Sequence, residues 1–291
     1  MDQPAVAKTV AEEFLESVET FNRKAAALGH SDIASYYWYH TIDLPGGLVT
    51  PGLYDYRQTL PDFHFPADMR AMRVMDIGSA TGFFAFEFAR RGADVVSVEL
   101  PSLEAIDRFP GQSIDQIIGK INRMIVPPAV EGLNGYVKEY AAAELYHFML
   151  RGPFEFCRQL LGARVERCYS PVYGLTKENT GGAFDFVFMG DILIHTLHPL
   201  EALAAVAPLC RGAFVFAGLL ADSPEDRPAM AYIGGDSLDS DEVSWWLPNQ
   251  ACLAALLKKL GFRTVTDVGR YGGVLRPSGF KFERSVIRAE R

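Results

Sequence analysis

The chain has 291 residues, 49% of them hydrophobic and 22% charged, enough to bury a sizeable core and too apolar for a disordered protein. Its formal net charge is -8, and its densest basic group is only Arg70, Arg73, Arg90 and Arg91, which disfavours a grip on long nucleic acid. The four cysteines (Cys157, Cys168, Cys210 and Cys252) lack C-x-x-C spacing, so structural zinc and a disulfide framework are disfavoured. Met1 to Leu28 carries acids and lacks the apolar core of a signal peptide. No run reaches the ~18 apolar residues of a membrane span, and the sequence reads as cytoplasmic.

Val6, Val10, Phe14, Val18, Phe21, Ala25 and Leu28 recur at helical spacing, and Gly29 is a natural stop. This predicts an amphipathic helix packed across the main domain, with a lid over a ligand as the alternative. Tyr36-Tyr37-Trp38-Tyr39-His40 then leads into a Pro/Gly-rich stretch ending at Thr50-Pro51-Gly52. Such a stretch is poor as a regular element and well suited to line a pocket. Residues 1–66 are therefore read as a helix and covering loop, and 67–291 as the main domain.

Arg73 to Ile77 has the short apolar run of a parallel strand. Gly78 and Gly82 allow a sharp turn into a helix from Phe83 to Arg91, whose N-terminus offers free N–H groups to a polar ligand. Ala93 to Glu99 reads as a second strand ending in an acid, which can accept hydrogen bonds from both hydroxyls of a ribose. Two details favour S-adenosyl-L-methionine over a dinucleotide. Ala80 stands where a dinucleotide turn has the glycine that makes room for a pyrophosphate. Asp76 ends the first strand, where a carboxylate suits a ligand amino group and repels a pyrophosphate.

Residues 101–162 exceed a simple crossover and predict an inserted helical cap. Ile114, Ile117, Ile118 and Ile121 mark one helix, broken at Pro127-Pro128. Tyr136 to Tyr140 and Glu144 to Leu161 suggest more helix, interrupted at Gly152-Pro153. Further strands are expected at Arg164 to Ser170, Phe184 to Gly190 and Gly212 to Ala217. A long polar connection, Gly218 to Trp246, ends in Trp245-Trp246. Pro248 and Asn249 then cap a helix to Lys259. Arg263 to Val268 and Phe280 to Ile287 should form a closing antiparallel pair.

The Asp76-x-Gly78-x-x-x-Gly82 turn resembles motif I of the class I S-adenosylmethionine-dependent methyltransferases. Two further blocks resemble the branch related to the tRNA wobble-uridine methyltransferases that complete 5-methoxyuridine or 5-carboxymethoxyuridine. One is Trp38, His40, Ile42, Asp43, Leu44, Gly47, Thr50, Pro51 and Gly52. The other runs from Phe184-Asp185 through His195 to Pro199-Leu200. The resemblance implies an α/β, Rossmann-like doubly wound sheet of order 3-2-1-4-5-7-6. It implies that S-adenosyl-L-methionine is held by Asp76, Gly78, Ser79, Ala80, Thr81 and Gly82, with Glu99 and Leu100 at the ribose. Val172 and Tyr173 would meet the adenine, and Met189, Gly190 and Asp191 would close the site after the fourth strand. The carboxymethyl-transferring members carry a lysine near the aromatic loop and a tyrosine before the histidine. Here no lysine lies between Lys24 and Lys120, and Ile194 fills the tyrosine position, so plain S-adenosylmethionine is favoured.

Methyl transfer from a sulfonium requires an aligned nucleophile and, for oxygen or acidic carbon, a base. His40 and His195 are the candidate bases. Trp38, Tyr39, His40, Tyr136, Tyr140, Trp245 and Trp246 are candidate acceptor contacts. His195 and His198 have a metal-like spacing but no acid to complete a set, so no metal is expected. The expected partner is a small aromatic or apolar molecule methylated at oxygen or carbon; nucleic acid and membrane are disfavoured, and a homodimer is compatible with the sequence. A tRNA methyltransferase and a catalytically silent S-adenosylmethionine-binding protein are the alternatives.

Overall fold

The computed structural model describes residues 8–125, 140–222, 227–238 and 243–291. The chain begins with α1 (Val10–Ala27), capped by Thr9 and Glu12 in a reciprocal capping box. Its buried stripe is Phe14, Val18, Phe21 and Ala25, four of the seven residues the periodicity picks out. Phe21 meets Trp38 edge to face at 5.1 Å, so α1 packs against the aromatic loop. That loop holds only a two-residue pair, β1 (Asp43–Leu44) and β2 (Leu48–Val49), as its Pro and Gly content dictates.

The main domain then runs β3 (Arg73–Ile77), α2 (Phe83–Arg90), β4 (Asp94–Glu99), α3 (Ile114–Ile125), α4 (Ala142–Tyr146), α5 (Gly152–Leu161), β5 (Val165–Tyr169), β6 (Phe184–Gly190), α6 (Pro199–Val206) and β7 (Cys210–Gly218). It closes with β8 (Met230–Tyr232), β9 (Trp246–Pro248), α7 (Gln250–Lys259), β10 (Thr264–Leu275) and β11 (Phe280–Glu290). Seven strands form one sheet in the order β10-β11-β7-β6-β3-β4-β5. Counted along the chain this is 3-2-1-4-5-7-6, the expected order, with β11 antiparallel to both of its neighbours.

Both faces of the sheet are covered, so the central strand β6 reads as an almost unbroken apolar run. Phe186 and Phe188 point to one face and pack with Phe84 and Phe88 of α2; Val187 and Met189 point to the other, with the residues of α6 and α7. This alternation fixes β6 between α2 and α6 and leaves its carboxyl end beside the glycine turn.

Two boundaries differ from expectation. Gly152-Pro153 does not interrupt the helical run: a π turn over His147–Arg151 passes directly into α5. Pro153 follows directly on that π turn, and a Cβ at Gly152 would sit 2.7 Å from the Tyr36 ring. The last hairpin also runs past Val268 to Leu275, with a bulge at Asp267/Gly269. Gly272 and Gly273 weaken the strand signal, yet a Cβ at Gly272 would lie 2.7 Å from the Phe282 carbonyl oxygen, so the pairing needs glycine there. The helix expected over Tyr136 to Tyr140, and the break at Pro127-Pro128, fall outside the described residues, apart from Tyr140, which lies in no regular element.

Candidate active site

The turn after β3 takes three residues into the left-handed region: Gly78 at φ +70°, Ala80 at +47° and Gly82 at +94°. The N–H groups of Gly78 and Ser79 bond to the Val98 carbonyl at 2.9 and 3.3 Å, which binds the turn to β4. Thr81, wholly buried, joins the turn to the aromatic loop. Its hydroxyl accepts from the His40 backbone N–H at 3.1 Å and lies 3.1 Å from His40 Nδ1. The loop read from sequence as a cover therefore sits directly on the glycine turn.

Two acids flank this turn. Glu99 accepts a backbone N–H at each oxygen, from Ala80 and from Leu100, both at 2.9 Å. A carboxylate has about four acceptor positions, so two remain for a pair of vicinal hydroxyls. Asp76 is almost wholly buried, and its Oδ2 has no hydrogen-bond partner among the described residues. Burial pushes its carboxyl up to about 7; the Arg167 charge opposes that shift and the Glu99 charge adds to it. A buried oxygen without a partner is costly. The ammonium group of the S-adenosylmethionine amino-acid moiety would satisfy Asp76 Oδ2, and its ribose the remaining capacity of Glu99. The residues present fit that cofactor.

The segment Val172–Gly174 makes a single 3-10 turn, with Val172 buried. The Tyr173 hydroxyl donates to Asp107 Oδ2, which also accepts the Leu197 N–H at 2.7 Å. Tyr173 thus ties the cap to the segment after β6. Tyr146 adds a second tie, donating to the Leu100 carbonyl.

The two histidines differ. His40 is buried among Tyr39, Tyr56, Phe83 and Phe84, and burial pushes its imidazole down to about 3. The expectation of a near-neutral imidazole there does not hold. With the Thr81 hydroxyl at Nδ1, His40 is a neutral ring that fastens the loop. His195 is exposed in the short turn after β6, and its Nδ1 lies 2.7 Å from the Val243 carbonyl. A carbonyl only accepts, so Nδ1 carries the proton and the Nε2 lone pair is free.

The structure adds a cluster that the motifs do not contain. Met189 is buried, and past Gly190, Asp191 takes φ +48°; its oxygens accept from the Leu219 N–H and from Arg284 Nε, both at 3.0 Å. Facing this pair are Tyr39, Tyr54, Tyr56 and Tyr271, all raised above the ordinary phenol range, mainly by burial and also by the charge of Asp191. The Tyr39 and Tyr54 rings lie 4.9 Å apart. A cleft of about 600 Å³ opens alongside, lined by Leu219, Leu220, Asn249, Arg270, Arg284 and Ser285.

Of the aromatic residues expected at the acceptor, Trp38 belongs to the core, enclosed by Phe21, Tyr36 and Phe156. Tyr140 stacks on Phe148 at 4.8 Å within the cap. Trp246 donates to the Leu197 carbonyl, while the buried Trp245 Nε1 has no partner among the described residues. Tyr136 lies outside those residues. No helix of the described residues is long and apolar enough to cross a membrane.

The family model described as a methyltransferase domain matches residues 53–267. Magnesium-protoporphyrin O-methyltransferase of Rhodobacter capsulatus is 42% identical over 57 residues, which is 20% of this chain and 25% of that protein. The matched stretch thus spans a quarter of that relative. Among solved structures, the N-terminal domain of EvdMO1 with SAH bound aligns with a TM-score of 0.50 at 14% identity, over 94% of this chain and 95% of that one. The 1,6-didemethyltoxoflavin-N1-methyltransferase of Burkholderia thailandensis aligns at 0.45 and 16%, over 100% and 93%. Identities this low speak to fold alone, and the finer likeness to the wobble-uridine enzymes rests on the sequence blocks. The family match covers most of the chain: this protein belongs to the methyltransferase-domain family.

Proposed function

We propose that the acceptor is a small molecule seated at the carboxyl ends of β6 and β7. The observation that carries this reading is the cleft of about 600 Å³ beside Asp191, within the size range of small-molecule sites. Its surroundings also argue against a polymer. Its lining includes the acids Asp222 and Glu283, and Arg284 is already paired with Asp191. The polar lining from Arg270 and Ser285 narrows the expected aromatic or apolar acceptor to one that also carries hydrogen-bonding groups. Magnesium-protoporphyrin O-methyltransferase, similar over a short stretch, is named for such a molecule.

When bound, S-adenosylmethionine supplies an electrophilic methyl on a sulfonium. The chain's own residues would do the rest. The glycine turn and Glu99 would orient the cofactor, and Tyr39 and Tyr54 would line the approach of the acceptor. We assign the base to His195, whose free Nε2 can take the acceptor's proton; His40 fastens the loop. The test is transfer of labelled methyl to a panel of phenols, hydroxylated metabolites and bulk tRNA. Label in small molecules and none in tRNA is expected; label in tRNA alone would contradict the proposal.

Glu99→Ala should weaken S-adenosylmethionine binding by about 1–3 kcal/mol, the order of a lost charge-assisted bond. Calorimetry checks this, and an unchanged affinity would sink the ribose assignment.

A further inference from the structure

Strand β5 lies at the edge of the sheet, yet the side chain of Arg167 in its middle is only 6% exposed. Its guanidinium stacks 3.9 Å over the Phe154 ring of α5. One terminal nitrogen donates to Ser79 Oγ at 2.6 Å and Ser97 Oγ at 2.9 Å, and the other to the Ala80 carbonyl at 3.3 Å. That second nitrogen lies 3.8 Å from Glu99 Oε2. Nε is buried without a partner among the described residues. Four contacts thus converge on the glycine turn and its acid from a residue outside every motif above.

We propose that Arg167 is a positioning residue of the cofactor site. It clamps the turn at Ser79 and Ala80, and it supplies the positive charge that opposes the burial of Asp76. This inference rests on the assignment of the turn to S-adenosylmethionine. Like charges in a desolvated site disfavour each other, so the Glu99 charge adds to the burial that raises Asp76. The charged groups facing Asp76 are Arg167 from β5 and Glu99 from β4; α2 adds only the Ala85 backbone N–H. On the side of the aromatic loop, the neutral His40 reaches the turn at Thr81. Arg167 is therefore the cation that keeps Asp76 available to a cationic ligand. Burial, which raises Asp76 to about 7, places this balance in the neutral range.

The sign follows from linkage. A protonated Asp76 cannot pair with an ammonium group, so affinity should fall as pH drops through about 7. In the free protein the raised value acts the other way: stability is lost as pH rises through about 7, since the proton leaves a buried site.

The experiment is calorimetric titration of the full chain with S-adenosylmethionine from about pH 5 to about pH 8, across the range where native proteins are most stable. Native protein, Arg167→Met and Arg167→Lys are compared. The native midpoint should lie near 7. Arg167→Met should move it up by about 1–3 pH units, the effect of losing a nearby opposite charge. Arg167→Lys should keep the native midpoint with weaker binding, because it retains the charge and loses the planar fork. A folded Arg167→Met with the native midpoint, however weak its binding, overturns the proposal and leaves a structural clamp. Should Arg167→Met not fold, Arg167→Lys decides alone, and a raised midpoint there overturns it. Absence of binding by the native protein at every pH would instead remove the cofactor assignment beneath the inference.

Discussion

Replacing His195 with alanine is expected to cut turnover by about 10²–10⁴-fold, the usual loss for a general base, while leaving S-adenosylmethionine affinity nearly intact. His195 lies in the turn after β6, and the Val243 carbonyl fixes its tautomer so that Nε2 is the accepting nitrogen. It makes no contact with the glycine turn, so binding and chemistry should separate. His40→Ala should behave differently. His40 is buried and held at Thr81, so its loss should loosen the aromatic loop and weaken binding as well as turnover. Turnover measured at saturating cofactor is the proper readout, because Asp76 imposes its own pH dependence on binding. At saturation, His195→Ala should show the loss of turnover at every pH. If His195→Ala keeps full turnover and the native profile, the base is elsewhere, with Tyr39 and Asp191 next in line.

Gly78→Val is expected to abolish measurable cofactor binding in a protein that still folds. At φ +70° a β-branched residue is strained by about 1–3 kcal/mol. The added Cβ would also sit 1.9 Å from Ile192 Cδ1, so Ile192 must move or the turn must open. Either displaces the Gly78 and Ser79 N–H groups from the Val98 carbonyl and carries Asp76 with them. Where the free variant relieves this strain by opening the turn, re-forming it on binding costs about 1–3 kcal/mol, roughly five- to 160-fold in affinity. Thermal melting separates loss of the turn from loss of the fold. A folded variant with native affinity would mean that the turn after β3 does not hold the cofactor.

The sheet was legible because its signals are local. Short apolar runs bounded by turns mark β3, β4, β6 and β7, and an acid closes β4 at Glu99. The Asp76 turn was legible because left-handed backbone demands glycine at Gly78 and Gly82. The aromatic loop was legible as a cover, but not what each ring covers. Trp38 and Tyr39 are neighbours in sequence, yet one packs against Phe21 in the core and the other meets Tyr54 near Asp191. A loop has no fixed period, so spacing cannot assign its faces. The phenol cluster draws on Tyr39 before Pro51-Gly52, two loop positions after it and one in β10, and only the closed sheet brings Tyr271 to Tyr56. Arg167 left no sequence signal beyond a single charge inside a short strand. Its meaning lies in Ser79 and Ser97, which the turn and the β4–β5 register place beside it.

The account stands on the glycine turn, Asp76 and Glu99 forming a site for S-adenosylmethionine. Calorimetric titration of the native chain with S-adenosylmethionine, repeated on Asp76→Asn, tests it most directly. Saturable one-site binding by the native protein is expected, with Asp76→Asn weakened by about 1.5–3 kcal/mol, the range for a hydrogen bond to a charged group. Native protein that shows no heat of binding, or Asp76→Asn that binds as the native protein does, would contradict the account.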